Sequence, residues 1–241
     1  MKKDSKTRKY IFEYKMGIIT ILSLVLFIVP VIITGFLFDF ELDISFSDSS
    51  SFFIKYFLFF IAVFLWMVLH EIIHGVFYQI NGAKSENITY GVVLEKGIFF
   101  CKCGEFISRK NILMSVIAPF IIIGVITYII SIITNSFLLL VLSIFNISGA
   151  AGDLMVFFFF LKQKKDIRFK ELGDSTTFCL ETSDDLSNKK YWGVKLKEEV
   201  MDDTKINEIN GKKINISKPS KYILIGFLIF MALFLIIGFF L

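Results

Sequence analysis

Residues 64–82 read FLWMVLHEIIHGVFYQING. The run is apolar throughout, yet two histidines and a glutamate fall within five residues of its middle. A segment suited to lipid does not carry three ionisable groups without a reason, because each costs about 2.5–3.5 kcal/mol at the centre of a membrane helix.

The rest of the chain is equally apolar. Of its 241 residues, 55% are hydrophobic and 30 are phenylalanine, with a mean hydropathy of +0.71. Soluble domains are usually about 45–50% apolar. Five stretches are long enough to span a bilayer, roughly Gly17–Phe38, Tyr56–Ile80, Ile112–Ile133, Phe137–Leu161 and Tyr222–Leu241. Helix is expected for each, since lipid offers backbone groups no partner. The first reads as an uncleaved anchor, its apolar core being longer than a signal peptide's.

Basic residues give the orientation. The first sixteen residues, the 81–111 loop and the 162–221 segment together hold 25 of the 26 Lys and Arg; the 39–51 loop holds none and four acids. Positive charge marks the cytoplasmic side. The expectation is a multi-pass protein of the cell membrane, N-terminus cytoplasmic and C-terminus outside. The net charge of +4 reflects this bias and is no signal for nucleic acid. The three cysteines, Cys101, Cys103 and Cys179, lie on the reducing side and are expected as free thiols.

The predicted fold is an all-α polytopic membrane protein of about five transmembrane helices, with a small cytoplasmic β-hairpin and a small β-containing appendage. The hairpin is expected over 88–103 around Lys96-Gly97, and Asn210-Gly211 signals another in the appendage. Ser108 reads as a helix cap. Four regions follow: 1–51, a cytoplasmic tail, first anchor and outer loop; 52–161, a three-helix membrane core; 162–221, a small cytoplasmic segment; and 222–241, a final helix.

Within the five spans the Asp, Glu, Lys, Arg and His residues are four: His70, Glu71, His74 and Asp153. His70-Glu71-Ile72-Ile73-His74 is an H-E-x-x-H pattern. On a helix, i and i+4 share a face, so both imidazoles reach one ion while the glutamate projects beside it. Zinc suits two imidazoles and a carboxylate with one position open. Asp153 is the remaining carboxylate, and it and His74 each lie about 10 Å inside the cytoplasmic helix ends at ~1.5 Å per residue. Burying Glu71 and Asp153 costs on the order of 6 kcal/mol; structural zinc in small peptides returns about 10–16 kcal/mol. A cation therefore accounts for the polar island.

HEIIHGVFYQINGA, a hairpin, SVIAPFIIIG and NISGAAGDL, in that order, resemble the site-two-protease type of intramembrane zinc metalloprotease, and more narrowly a zincin-peptidase family of small bacterial membrane proteins. The resemblance covers about residues 52–161. It implies zinc held by His70, His74 and Asp153, with Glu71 as catalytic base and Asn146 as a substrate-positioning residue. Asn146 either hydrogen-bonds the substrate backbone or bridges helices. Ser148, Gly149 and Gly152 either loosen the fourth helix or pack it closely. The hairpin either offers an edge strand or is a connector. The chain departs from the site-two-protease pattern at Ile147 and Leu154, where Pro and Gly are usual.

The expected function is zinc-dependent hydrolysis of a peptide bond in a membrane-embedded protein or peptide near the cytoplasmic face. The competing class is a non-proteolytic metal-binding membrane protein, a transporter component or scaffold. Transporters tend to show internal repeats and polar groups at several depths, and neither is seen.

Overall fold

A computed structural model describes residues 7–37, 49–93, 98–172, 177–187, 189–200 and 206, with the backbone alone at 37, 49–56, 93 and 98. The Lys96-Gly97 turn, the Asn210-Gly211 hairpin and the Tyr222–Leu241 span lie outside the described residues.

The chain opens with strand β1 (Arg8–Tyr14) and continues into helices α1 (Met16–Leu37) and α2 (Ser49–Ile80). The hairpin β2 (Ile88–Val93) and β3 (Ile98–Cys103) follows, then a short β4 (Ile107–Ser108). Helix α3 (Arg109–Pro119) runs through a π-helical turn, Phe120–Val125, into α4 (Ile126–Ile133). Helices α5 (Phe137–Gly149) and α6 (Ala151–Leu161) lead to β5 (Arg168–Leu172), β6 (Thr177–Thr182) and β7 (Val194–Val200).

Three helical segments are long and apolar enough to cross a membrane: Met16–Phe36, Phe57–Ile80 and Arg109–Ile133. α5 and α6 would make a fourth together, bent by 47° at Ala150. The Ser108 hydroxyl caps α3 by accepting from the Asn111 N–H, as expected.

The all-α expectation is wrong. The molecule is mixed α/β, with a five-stranded antiparallel sheet in the order β4-β5-β6-β1-β7 beside the two-stranded hairpin. The N-terminal segment read as a tail supplies the strand between β6 and β7. The segment read as a small appendage supplies three of the other four. The physical reason is alternation. In RKYIFEY, Tyr10 and Phe12 point to one face and Ile11 to the other, and all three are fully buried. No single strand here is stable alone; paired, they form a sheet with two apolar faces.

The inner face of that sheet merges with the helices. Tyr10, Phe12, Phe169, Phe178 and Leu180 share one core with Ile112, Val116, Met155 and Phe160. Phe12 stacks on Phe178 at 5.4 Å, and Phe160 meets Phe169 edge-on at 5.2 Å. The phenylalanine run at the end of α6 is thus the anchor that docks sheet to helices. Each buried ring contributes on the order of 1.5–3 kcal/mol. Arg109 closes the joint, donating to the Phe160 and Leu161 carbonyls at 2.6 and 2.9 Å, where a helix C-terminus favours a cation. The outer face is a smaller cluster of Ile11, Leu172, Cys179, Val200 and Ile206. A bulge in β7, where Ile11 pairs with Glu198 and Phe12 with Leu196, lets Val194 join the inner cluster and Val200 the outer.

The hairpin pairs in the expected place, Ile88 with Cys103 through Val93 with Ile98. Gly75 lets it lie against α2: a Cβ there would collide with the Tyr90 hydroxyl. The three cysteines are buried and form no disulfide.

Candidate metal centre

α2 presents His70 and His74 one turn apart, with ring centroids 4.8 Å from each other. Asp153 is delivered by the break at Ala150. α5 stops, the chain turns, and Asp153 falls in the first turn of α6, where the helix's positive end favours a carboxylate. Its Oδ2 lies 3.0 Å from His70 Nε2 and its Oδ1 3.3 Å from His74 Nε2. The two Nε2 atoms are 3.1 Å apart. Among the described residues these three form the group able to hold a metal ion, all donor atoms within 4.8 Å of one another.

The other side of each ring is fixed by an oxygen. His70 Nδ1 donates to Asn146 Oδ1 at 2.8 Å, and His74 Nδ1 donates to the Ser115 carbonyl at 2.9 Å. Asn146 in turn donates its Nδ2 to the Pro119 carbonyl at 3.1 Å, which settles its flip. With hydrogen on both Nδ1 atoms, both Nε2 atoms are acceptors. Two lone pairs and a carboxylate then converge with no donor among them. That set fits a cation. A tetrahedral zinc with Zn–N of about 2.0–2.1 Å places its donors roughly 3.3 Å apart, close to the separations here.

The Ser115 carbonyl is free for His74 because of Pro119. In a helix, the N–H of residue 119 would bond the carbonyl of residue 115, and proline has none. The π turn that follows carries Gly124, whose missing side chain admits α5: a Cβ would stand 3.0 Å from Asn146 Nδ2 and 3.1 Å from Ile147 Cγ1. Pro119 thus frees the carbonyl that orients one histidine and offers its own to the asparagine that orients the other. A proline four residues beyond Ser115 inside an apolar span was the available sequence signal.

Glu71 faces the hairpin, the Cys101 backbone N–H beside its carboxyl. Two cavities meet at this centre. One, of about 230 Å³, is walled by Tyr14 and Glu171 from the sheet, Phe99 and Phe100 from the hairpin, and the donor residues. The other, of about 350 Å³, lies along α2 and α5 between Trp66, Met67, Leu142 and Phe145. Both touch His70, Glu71, Phe99 and Gly149. Asn146 borders the second.

Gly149 and Gly152 border the first, and no described residue lies within 4 Å of where their Cβ atoms would be. The two glycines thus leave space at the helix break, while Ser148 makes the contact with a neighbouring helix. Ser148 pairs with Ser23 of α1 at 2.9 Å.

His70, Glu71, His74, Asn146 and Asp153 are thus brought together as the sequence placed them. Ser115, Pro119, Tyr14 and Glu171 were not foreseen.

Residues 63–168 match the model of a family described as "Putative zincin peptidase". The match takes in Glu71, Asn146 and all three donors, and leaves out β1, α1 and β6–β7. It supports a zincin-like peptidase family and hydrolase chemistry, and it implies zinc, for which His70, His74 and Asp153 form a fitting site. No curated protein and no solved structure matches the chain.

Proposed function

We propose that the protein is an intramembrane zinc peptidase of site-two-protease type, cutting a membrane-embedded protein or peptide near the cytoplasmic face. The observation that carries this reading is the donor set: two imidazoles locked with Nε2 toward one carboxylate, and a second carboxyl, Glu71, beside them on a cavity wall.

His70, His74 and Asp153 would hold the ion. Zinc, when bound, supplies Lewis acidity toward the scissile carbonyl and the attacking water. Glu71 takes a proton from that water as it adds to the carbonyl carbon. The C–N bond then breaks, and Glu71 passes the proton to the leaving amine. Asn146 and the Ser115 carbonyl act through the histidines, holding each ring in one tautomer. The two cavities give an extended peptide room on either side of the centre.

Sheet pairing supports a multi-pass arrangement. β1 lies in one sheet with β4 and with β5–β7, so these strands share a side. Two helices, α1 and α2, separate β1 from β4; α3–α4 and the bent α5–α6 separate β4 from β5. Even crossing numbers satisfy both constraints if the bent pair spans once. The basic residues of these strands support a cytoplasmic location for that side.

The test is zinc content and cleavage together. Wild type and Glu71→Gln purified in detergent are expected to retain zinc equally, while His70→Ala and Asp153→Ala lose it. Glu71→Gln is expected to lose at least a thousandfold in cleavage of a membrane peptide that wild type cuts. Zinc without any cleavage dependent on Glu71 would favour the non-proteolytic metal-binding class.

A further inference from the structure

The inner face of the five-stranded sheet is apolar at nearly every position, and Glu171 breaks the pattern. On β5, Phe169 and Glu171 point to the same side. Phe169 is buried against Phe160 and Phe178 in the core shared with the helices, whereas Leu172 belongs to the outer cluster. Strand register sets Glu171 opposite Phe178, itself opposite Phe12. An acidic side chain is thereby delivered through an aromatic layer into the wall of the cavity that holds His70, Glu71, His74 and Asp153. Its Oε2 is shut off from solvent and has no hydrogen-bond partner among the described residues. Native proteins seldom leave such an atom unpaired without a functional cause.

Glu171 stands outside the donor triad. Among the described residues three carboxyls, Glu71, Asp153 and Glu171, line the cavity and no Lys or Arg does; Lys102 of the hairpin acts on Glu171 without lining the cavity. A divalent ion answers two ionised carboxyls, and the third, Glu171, ionises only when a further cation stands beside it. Tyr14, Tyr78 and Phe100 line the same cavity, and the faces of such rings attract cations. The neighbouring cavity along α2 and α5 is walled by Val63, Trp66, Met67, Leu142 and Phe145, with no acid among the described residues beyond the shared Glu71. A peptide laid across the centre meets an apolar chamber on one side and a spare carboxyl on the sheet side.

We propose that Glu171 is a subsite for a lysine or arginine side chain of the substrate, a peptide whose apolar segment fills the second cavity. The preferred substrate is an apolar membrane segment followed, on the sheet side of the cut, by a basic residue. This rests on the peptidase reading. Without such a partner, burial pushes the Glu171 carboxyl up to about 8; a cation beside it restores the ionised form. Glu171 lies beyond the stretch matched to the zincin peptidases, so the preference belongs to this chain's own sheet.

The probes are fluorescent twenty-residue apolar peptides carrying one Lys, norleucine or Glu at successive positions. Their binding is measured on full-length, zinc-loaded Glu71→Gln protein in detergent, and their cleavage on wild type. Lys peptides are expected to bind at least tenfold tighter than norleucine peptides at one register. Adding Glu171→Gln narrows the ratio to within twofold, Glu171→Asp retains the preference, and Glu171→Lys turns it toward Glu, with zinc content unchanged throughout as the check on folding. A flat Lys/norleucine ratio, or a preference that survives Glu171→Gln, overturns the subsite. Cleavage without Lys preference does so while leaving the peptidase reading intact. Lys-selective binding without cleavage keeps the subsite and overturns the peptidase. Absence of all binding overturns both.

Discussion

Two backbone carbonyls, of Ser115 directly and of Pro119 through Asn146, hold the histidine pair in place, and the first is free for that role because of one imino acid. Replacing Pro119 by Ala returns an N–H that competes for the Ser115 oxygen, and His74 loses its fixed tautomer. Asn146→Ala leaves His70 Nδ1 without an acceptor. Loss of such supporting bonds typically costs 10–100-fold in metal affinity. Each variant is expected to weaken zinc binding by that much in a chelator competition, with little change in fold; Asn146→Asp, which keeps an acceptor, is expected to recover most of it. At this scale the sequence was largely readable. His70, Glu71, His74 and Asp153 stood out because a charge inside an apolar span is costly and rare. Glu171 did not. It sits in a polar stretch of sequence, and only pairing shows that it lies on the buried side of a strand.

Among elements, β1 departs most from its reading. Seven residues in a lysine-rich segment look like a solvated tail, and the alternation of RKYIFEY is too short to stand out. Its worth comes from partners far along the chain, Thr182 and Val200 among them. Removing residues 1–15 uncovers the facing edges of β6 and β7 and takes Tyr10 and Phe12 out of the core. The truncated chain is expected to aggregate, and limited proteolysis is expected to cut within 168–200, where the full chain resists; a free tail would be removed without effect. Among the described helices, those long and apolar enough to cross a membrane, Met16–Phe36, Phe57–Ile80 and Arg109–Ile133, fall within a few residues of the expected spans, because length and apolarity are both legible in the sequence. The bend between α5 and α6 was less so, since Ser148, Gly149 and Gly152 fit a tight helix contact as well as a break. The strands were hidden by the charges interleaved among their apolar positions, such as Arg168 and the half-buried Glu181, which pair at 3.2 Å.

In the whole molecule, helices supply the donors and sheet and hairpin close the space above them. The energetic cost of that closure shows at Glu171. Its carboxyl is held protonated to about pH 8 by burial, against an ordinary value of 4.5. As pH climbs from about 4.5 to 8, the unfolded chain ionises while the folded one does not, so ligand-free stability falls across that window and stays low above it. Glu171→Gln removes this slope. Its Tm is expected to match wild type near pH 4.5 and exceed it increasingly up to pH 8. Equal Tm values across that range would show that the side chain is already ionised and paired. A functional group that weakens the resting fold is a common trade.

β1 has a consequence in time. Its neighbours in the sheet are made some 170–190 residues later, the span from Arg8 to Thr182 and from Lys9 to Val200. A nascent chain therefore has all its zinc donors once Asp153 has emerged, but not the wall built by Tyr14 and Glu171. During translation the centre stands roofless, and β1 must wait for β6 and β7 to be made before the chamber is complete.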